Sequence, residues 1–238
     1  MTSAAHPTAR EKTAPPSKQP ANFNGLARLY RWMEYASFGP WLWWCRCAFL
    51  SELKDCRCAA VLGDGDGRFT ARLLKENPSM VVDAVDASEA MLRSLVRRAG
   101  RDAARVRVHC ADARAWQPPA REYDLIVTHF FLDCLTTDEA LALGEKMRGA
   151  VAQGARWVVS EFAEPESWYG RVVARPVVWV LYRAFALLTG LRVRALPDYH
   201  AALHAAGFAL EKKRMWLGGL MVSELWMSRC RDSEQSAN

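Results

Sequence analysis

The stretch Val61–Thr70, VLGDGDGRFT, decides how the rest of the chain is read. An apolar run, Ala59-Ala60-Val61-Leu62, leads into Gly63, Gly65 and Gly67, after which a helical pattern begins. A glycine loop between a strand and a helix offers backbone N–H groups to a ligand and lets the chain approach it closely. Many such loops cradle phosphates, yet Asp64 and Asp66 sit inside this one. The G-x-G-x-G spacing departs from the dinucleotide pattern G-x-G-x-x-G, and no Gly-Lys-Ser/Thr follows it. A pyrophosphate beside either carboxylate would meet like charge, costing about 4 kcal/mol per pair at ~4 Å and an effective dielectric of ~20. The loop favours a ligand that carries positive charge and no phosphate.

Downstream, short β-rich runs alternate with amphipathic stretches. Strands are expected at Cys58–Leu62, Met80–Val85, Val106–Cys110, Asp124–Thr128 and Arg156–Glu161, and helices near 69–76, 88–99 and 137–152. That rhythm predicts a doubly wound α/β fold with a mostly parallel sheet, whose ligands bind at the carboxyl ends of the strands. FALEKKRMW and LMVSELWMSR, joined by LGG, break the rhythm and read as an antiparallel hairpin at the sheet edge.

Two further acidic positions fall in register with the loop. Asp86 ends the second strand about 20 residues after the middle glycine, where a carboxylate accepts hydrogen bonds from ribose hydroxyls. Ser88 is placed to cap the following helix, which leaves Asp86 available for that role. Asp112, in VHCADARAW, follows the third strand, where it is expected to accept from an adenine amine.

The segments VLGDGDGRF, VDAVDASEAML, CADA and YDLIVTHFFLD, in this order, resemble the class I S-adenosylmethionine-dependent methyltransferases across roughly residues 56–163. S-adenosylmethionine, the cofactor this resemblance implies, has a sulfonium, an α-ammonium and a carboxylate but no phosphate. The resemblance implies a Rossmann-like, seven-stranded sheet. Gly63, Gly65 and Gly67 would then line the methionine part, Asp86 the ribose and Asp112 the adenine, with Asp64, Ala87, Met91, Ala113 and Thr128 also among the expected cofactor-binding residues. The chain lacks the acidic residue that the family often carries at the start of this loop, so Asp64 or Asp66 is the expected substitute.

Methyl transfer needs an aligned nucleophile and, for many acceptors, removal of a proton. The loop after the fourth strand reads Thr128-His129-Phe130-Phe131-Leu132-Asp133. His129 is the expected general base, with Asp133 orienting it or acting itself; the competing reading packs His129 under the loop. The Asn-Pro-Pro-Tyr/Phe motif of the amine-methylating nucleic-acid enzymes is missing. Tyr30, Phe130, Tyr199 and Trp216 are expected at the acceptor, with His200 nearby. Pro197-Asp198-Tyr199 reads as a helix start and Gly207-Phe208 as the turn into the hairpin.

Outside this domain, assigned to residues 56–238, the first 21 residues are rich in Pro, Ala, Ser and Thr and are expected to be disordered. Residues 22–55, dense in aromatic side chains, read as a helical lid. The apolar run WYGRVVARPVVWVLYRAFALLTGL falls in a helical insertion at about 164–196. Arg171, Arg175, Pro176 and Arg183 interrupt it, which argues against a membrane span. It reads as a lid over an apolar acceptor, an interfacial helix or a core helix, and its ends share a faint likeness with quinone-ring methyltransferases.

The formal charge is +6, carried largely by scattered arginines, so a solvated surface is favoured over a nucleic-acid face. Seven cysteines and no secretory signal suggest free thiols, a reducing compartment and a cytoplasmic location, with peripheral membrane contact left open. The pairs Cys45/Cys47 and Cys56/Cys58 are too closely spaced for a usual zinc site, and no metal is expected. The favoured function is methylation of a small aromatic or apolar molecule. The alternatives are an RNA or protein methyltransferase using the basic face, or a donor-binding partner subunit without catalysis.

Overall fold

The computed structural model describes residues 40–118, 123–163 and 197–229. The expected tail, most of the expected lid including Tyr30, and the insertion at 164–196 lie outside the described residues.

Helix α1, Pro40–Arg46, comes first, followed by strand β1, Cys58–Leu62. The glycine loop then feeds α2, Arg68–Glu76, and the chain continues through β2, Val81–Asp86, α3, Glu89–Ala99, and β3, Val106–Cys110. Next come β4, Tyr123–His129, α4, Thr137–Arg148, and β5, Val151–Phe162. Helix α5, Tyr199–Ala205, precedes the hairpin of β6, Phe208–Trp216, and β7, Met221–Ser228.

These strands form one seven-stranded sheet in the order β3-β2-β1-β4-β5-β7-β6. Strands β1 to β5 pair in parallel and β7 runs antiparallel to both β5 and β6. The order reverses between β1 and β4, so their carboxyl ends diverge and open the crevice where α/β folds bind ligands.

Local chemistry sets the element ends. Ser88 accepts from the N–H of Met91 as the α3 cap, and Thr136 forms a reciprocal capping box with Glu139 at α4. Asp198 accepts from the N–H of Ala201 to start α5, and Gly207, at φ 80°, turns the chain into β6. Helix α4 ends at Arg148 rather than 152, because Gly149 caps it and Val151 already enters β5. That strand begins five residues before the expected Arg156, through Val151-Ala152-Gln153-Gly154-Ala155, where exposed Gln153 and Gly154 interrupt the apolar pattern.

Side chains alternate between two cores. On one face Phe69, Leu73 and Leu74 of α2 and Leu92 and Leu95 of α3 pack with Val61, Leu125 and Val127. On the other, Leu62, Trp157, Phe208 and Trp226 pack with Leu143 and Met147 of α4 and Leu203 of α5. Each fully buried large side chain contributes about 1.5–3 kcal/mol of transfer free energy. A third, small cluster joins Leu42 and Cys45 of α1 to Leu220 and Met221. Among the described residues no helix is long and apolar enough to cross a membrane.

Candidate active site

The three loop glycines all take positive φ, at 71°, 61° and 78°, but they do different work. A Cβ on Gly63 would lie 2.5 Å from the Phe131 ring, and one on Gly67 would lie 2.6 Å from the Leu95 backbone. Those two glycines let the loop nest against its own protein. A Cβ on Gly65 meets nothing within 4 Å, so this glycine faces open space. It is the place where a ligand can lie against the backbone.

The two loop aspartates separate just as clearly. Asp66 pairs with Arg68 at 3.3 Å and Arg98 at 2.9 Å, holding α3 to the loop. Oδ2 of Asp64 accepts from the backbone N–H of Thr70 at 2.8 Å and from its hydroxyl at 2.6 Å, which fixes the first turn of α2. The other oxygen, Oδ1, is buried without a partner. Burial pushes the Asp64 carboxyl up, and the Thr70 bonds and the Arg46 guanidinium pull it back. Of the two candidates for the loop's acidic role, Asp64 is the one with an oxygen to spare.

Asp86 ends β2 beside this loop and accepts from the N–H of Ser88 at 2.8 Å. Burial raises its carboxyl to about 6, with the N–H groups of Ser88 and Gly65 opposing the shift. Ala87 is exposed beside it and Met91 half-buried at the start of α3. Asp112 is exposed after β3, and Arg114 grips both its oxygens while reaching Glu139 at 2.7 Å. Its carboxyl is held below the usual range by that guanidinium, and most of its acceptor capacity is taken. Ala113 is buried in the core on the α4 side.

Several expected positions are buried or already engaged within the fold. Thr128 does not open onto the crevice: it is fully buried and its hydroxyl accepts from Trp157 Nε1 at 3.0 Å. His129 is buried as well, edge-on to Phe69 at 4.5 Å, and neither ring nitrogen has a partner. Asp133 therefore does not orient it. Burial and the Arg46 charge hold the imidazole well below its ordinary pKa. Tyr199 donates to Glu224, and His200, Lys213 and Trp226 Nε1 converge on the same buried carboxylate. The Tyr199 hydroxyl is thus spent on structure, as is the Trp216 indole N–H, which donates to Ser223.

Phe130 remains at the mouth, with φ 53°, its ring on Phe162 and under the Arg46 guanidinium at 5.3 Å. Beneath the same loop lies a carboxyl pair. Glu161, at the end of β5, accepts from the N–H groups of Phe131 and Leu132, and its Oε2 is buried without a partner. Burial and the neighbouring Asp133 charge raise Glu161 well above the usual carboxylate range. Sequence reasoning placed Glu161 at a strand end without asking what it held; a carboxylate closing an apolar strand was the available signal. Arg46 was likewise passed over between two cysteines.

Comparison with known proteins agrees with this geometry. Residues 60–154 match a family described as a methyltransferase domain. No curated protein matches the chain. Among solved structures, one assigned as an O-methyltransferase from Nostoc punctiforme PCC 73102 superposes with a TM-score of 0.67 at 15% identity, over 89% of this chain and 64% of that one. The S-adenosylmethionine-dependent methyltransferase SibL superposes at 0.64 with 20% identity, over 90% and 64%. The mitomycin 7-O-methyltransferase MmcR gives 0.62 at 15% identity, over 87% and 60%. The chain thus spans less than two thirds of the length of these structures, and the likeness establishes the fold. Residues 60–154, which hold the glycine loop and the strand ends that follow it, match a methyltransferase domain, and the fold is the one these methyltransferases share.

Proposed function

We propose that this chain methylates a small apolar or aromatic molecule and takes the methyl group from S-adenosylmethionine. The observation that carries the reading is the pairing of an open glycine, Gly65, with a buried, unpartnered carboxylate oxygen on Asp64. Such an oxygen repels phosphate and accepts from an ammonium, so the residues fit this donor. Asp86 would take the ribose hydroxyls. The donor, when bound, supplies an electrophilic methyl on a sulfonium.

The rest of the work falls to the chain. Phe130 and Phe162, under Arg46, offer flat apolar surface at the mouth for an aromatic acceptor. Glu161, whose Oε2 has no partner and whose carboxyl is raised by burial and the Asp133 charge, is suited to take a proton from an acceptor hydroxyl. The neighbours named as O-methyltransferases support an oxygen acceptor.

The basic-face alternative is less well supported, because many arginines are engaged within the fold. Arg98 is spent on Asp66, Arg105 on the carbonyls of Leu74, Asn77 and Met80, and Arg114 on Asp112.

Calorimetry with S-adenosylmethionine, S-adenosylhomocysteine and NAD tests the donor. Micromolar binding of the first two and none of NAD is expected. NAD binding in their place would overturn the assignment. Turnover with small phenols and none with RNA is expected of the acceptor class.

A further inference from the structure

His129 lies beside the glycine loop, because Leu62 of β1 is in register with Thr128 of β4. By the alternation of a strand it shares a face with Leu125 and Val127, the face packed by α2. Its partner across on β5 is Ser160, whose hydroxyl donates to the Cys45 carbonyl and not to the ring, and Phe69 lies against the imidazole. A leucine would fill such a place without leaving polar atoms unpaired. The chain instead buries an imidazole whose Nδ1 and Nε2 both lack partners, and Asp64 in the adjoining glycine loop keeps its own unpartnered Oδ1. The Arg46 charge on α1 acts on both residues. Buried polar atoms are almost always satisfied, and one that is not is costly unless something supplies the missing bond.

We propose that His129 is a donor-binding residue rather than the base: its ring hydrogen-bonds the amino-acid end of S-adenosylmethionine, with Asp64 taking the ammonium. The inference rests on the donor assignment above. A neutral imidazole offers one N–H and one lone pair. It therefore suits a zwitterion, which presents ammonium N–H groups and carboxylate oxygens side by side. The same ring has no hydrogen-bonded carboxylate to orient it, as a base of the histidine type requires.

The experiment compares wild type, His129→Leu and His129→Gln, without any acceptor. Thermal melting of the ligand-free chain and calorimetry with S-adenosylmethionine and S-adenosylhomocysteine are the readouts. His129→Leu is expected to melt above wild type, because it removes two unsatisfied polar atoms, and to bind both ligands at least tenfold more weakly. His129→Gln, which keeps a donor and an acceptor, is expected to stay within about threefold of wild type. Wild-type affinity in His129→Leu overturns the inference while leaving the donor assignment intact. A lower melting temperature in both variants with equal loss of binding also overturns it, since packing alone would do that. Failure of wild type to bind either ligand overturns the donor assignment and the inference together.

Discussion

Asp64→Asn is the most informative single change at the loop. The amide oxygen can keep the two bonds from Thr70, now at 2.8 and 2.6 Å, so α2 keeps its first turn. What changes is the other side, where a carboxylate oxygen becomes an NH2 pointing at the donor's ammonium. The ion pair lost is bounded above by about 4 kcal/mol, the Coulomb energy at ~4 Å and an effective dielectric of ~20. A charge-assisted hydrogen bond gives a lower figure of about 1.5–3 kcal/mol. The expected loss of affinity is roughly tenfold to 150-fold, at about 1.4 kcal/mol per decade. The ligand-free variant is expected to melt no lower than wild type, because a carboxylate disfavoured by burial has been replaced by a neutral group. Calorimetry with S-adenosylhomocysteine and its deaminated analogue closes a double-mutant cycle: the variant should discriminate between them far less than wild type does. Equal discrimination by the two proteins would show that Asp64 does not meet the ammonium, and the electrostatic reading of the loop would fall.

Asp86, raised to about 6 by burial, should be ionised when it accepts the ribose hydroxyls. Donor affinity is therefore expected to fall by about tenfold between pH 7.5 and pH 5, measured by calorimetry, and Asp86→Asn should flatten that dependence. The sign for stability is opposite: the folded state holds this proton more tightly than the unfolded chain. The group's contribution thus grows as pH falls from about 6 toward the unfolded value of 3.8, visible as a shallow rise in melting temperature. Gly67→Ala should cost more fold stability than Gly65→Ala in denaturant titration, because only the former drives a Cβ into Leu95. Gly65→Ala is expected instead to weaken donor binding. Glu161→Leu leaves the N–H groups of Phe131 and Leu132 without their acceptor, and a loss of about 2–5 kcal/mol is expected. Glu161→Gln should recover most of it.

Much of the fold was legible because each signal was local. The spans of β1, β3 and β6 follow from runs whose ends are marked by Gly or by a change of polarity, and the Ser88 cap from its spacing to the helix. The site was legible as a set of strand ends but not as a set of directions. Nothing in the string GDGDG separates Asp66, bound to two arginines, from Asp64 with an oxygen left over; that depends on Arg98, a helix away. Thr128 and His129 are adjacent in sequence and point to opposite faces, one to Trp157 and the other to Phe69. Period-two alternation states this, but a reading centred on the loop as a whole did not apply it. Tyr199 looked like a pocket residue because its partner, Glu224, lies far along the chain on β7.

Helix α1 is fastened to the sheet at Cys45. Its carbonyl accepts from Ser160 of β5 and Ser223 of β7, and its thiol lies against Ser223 and the Val222 carbonyl. A segment tied to two strands cannot swing, so the Arg46 side of the crevice is a fixed wall and not a door. Spent product is therefore expected to leave by another side, with a release rate that does not depend on movement of this corner.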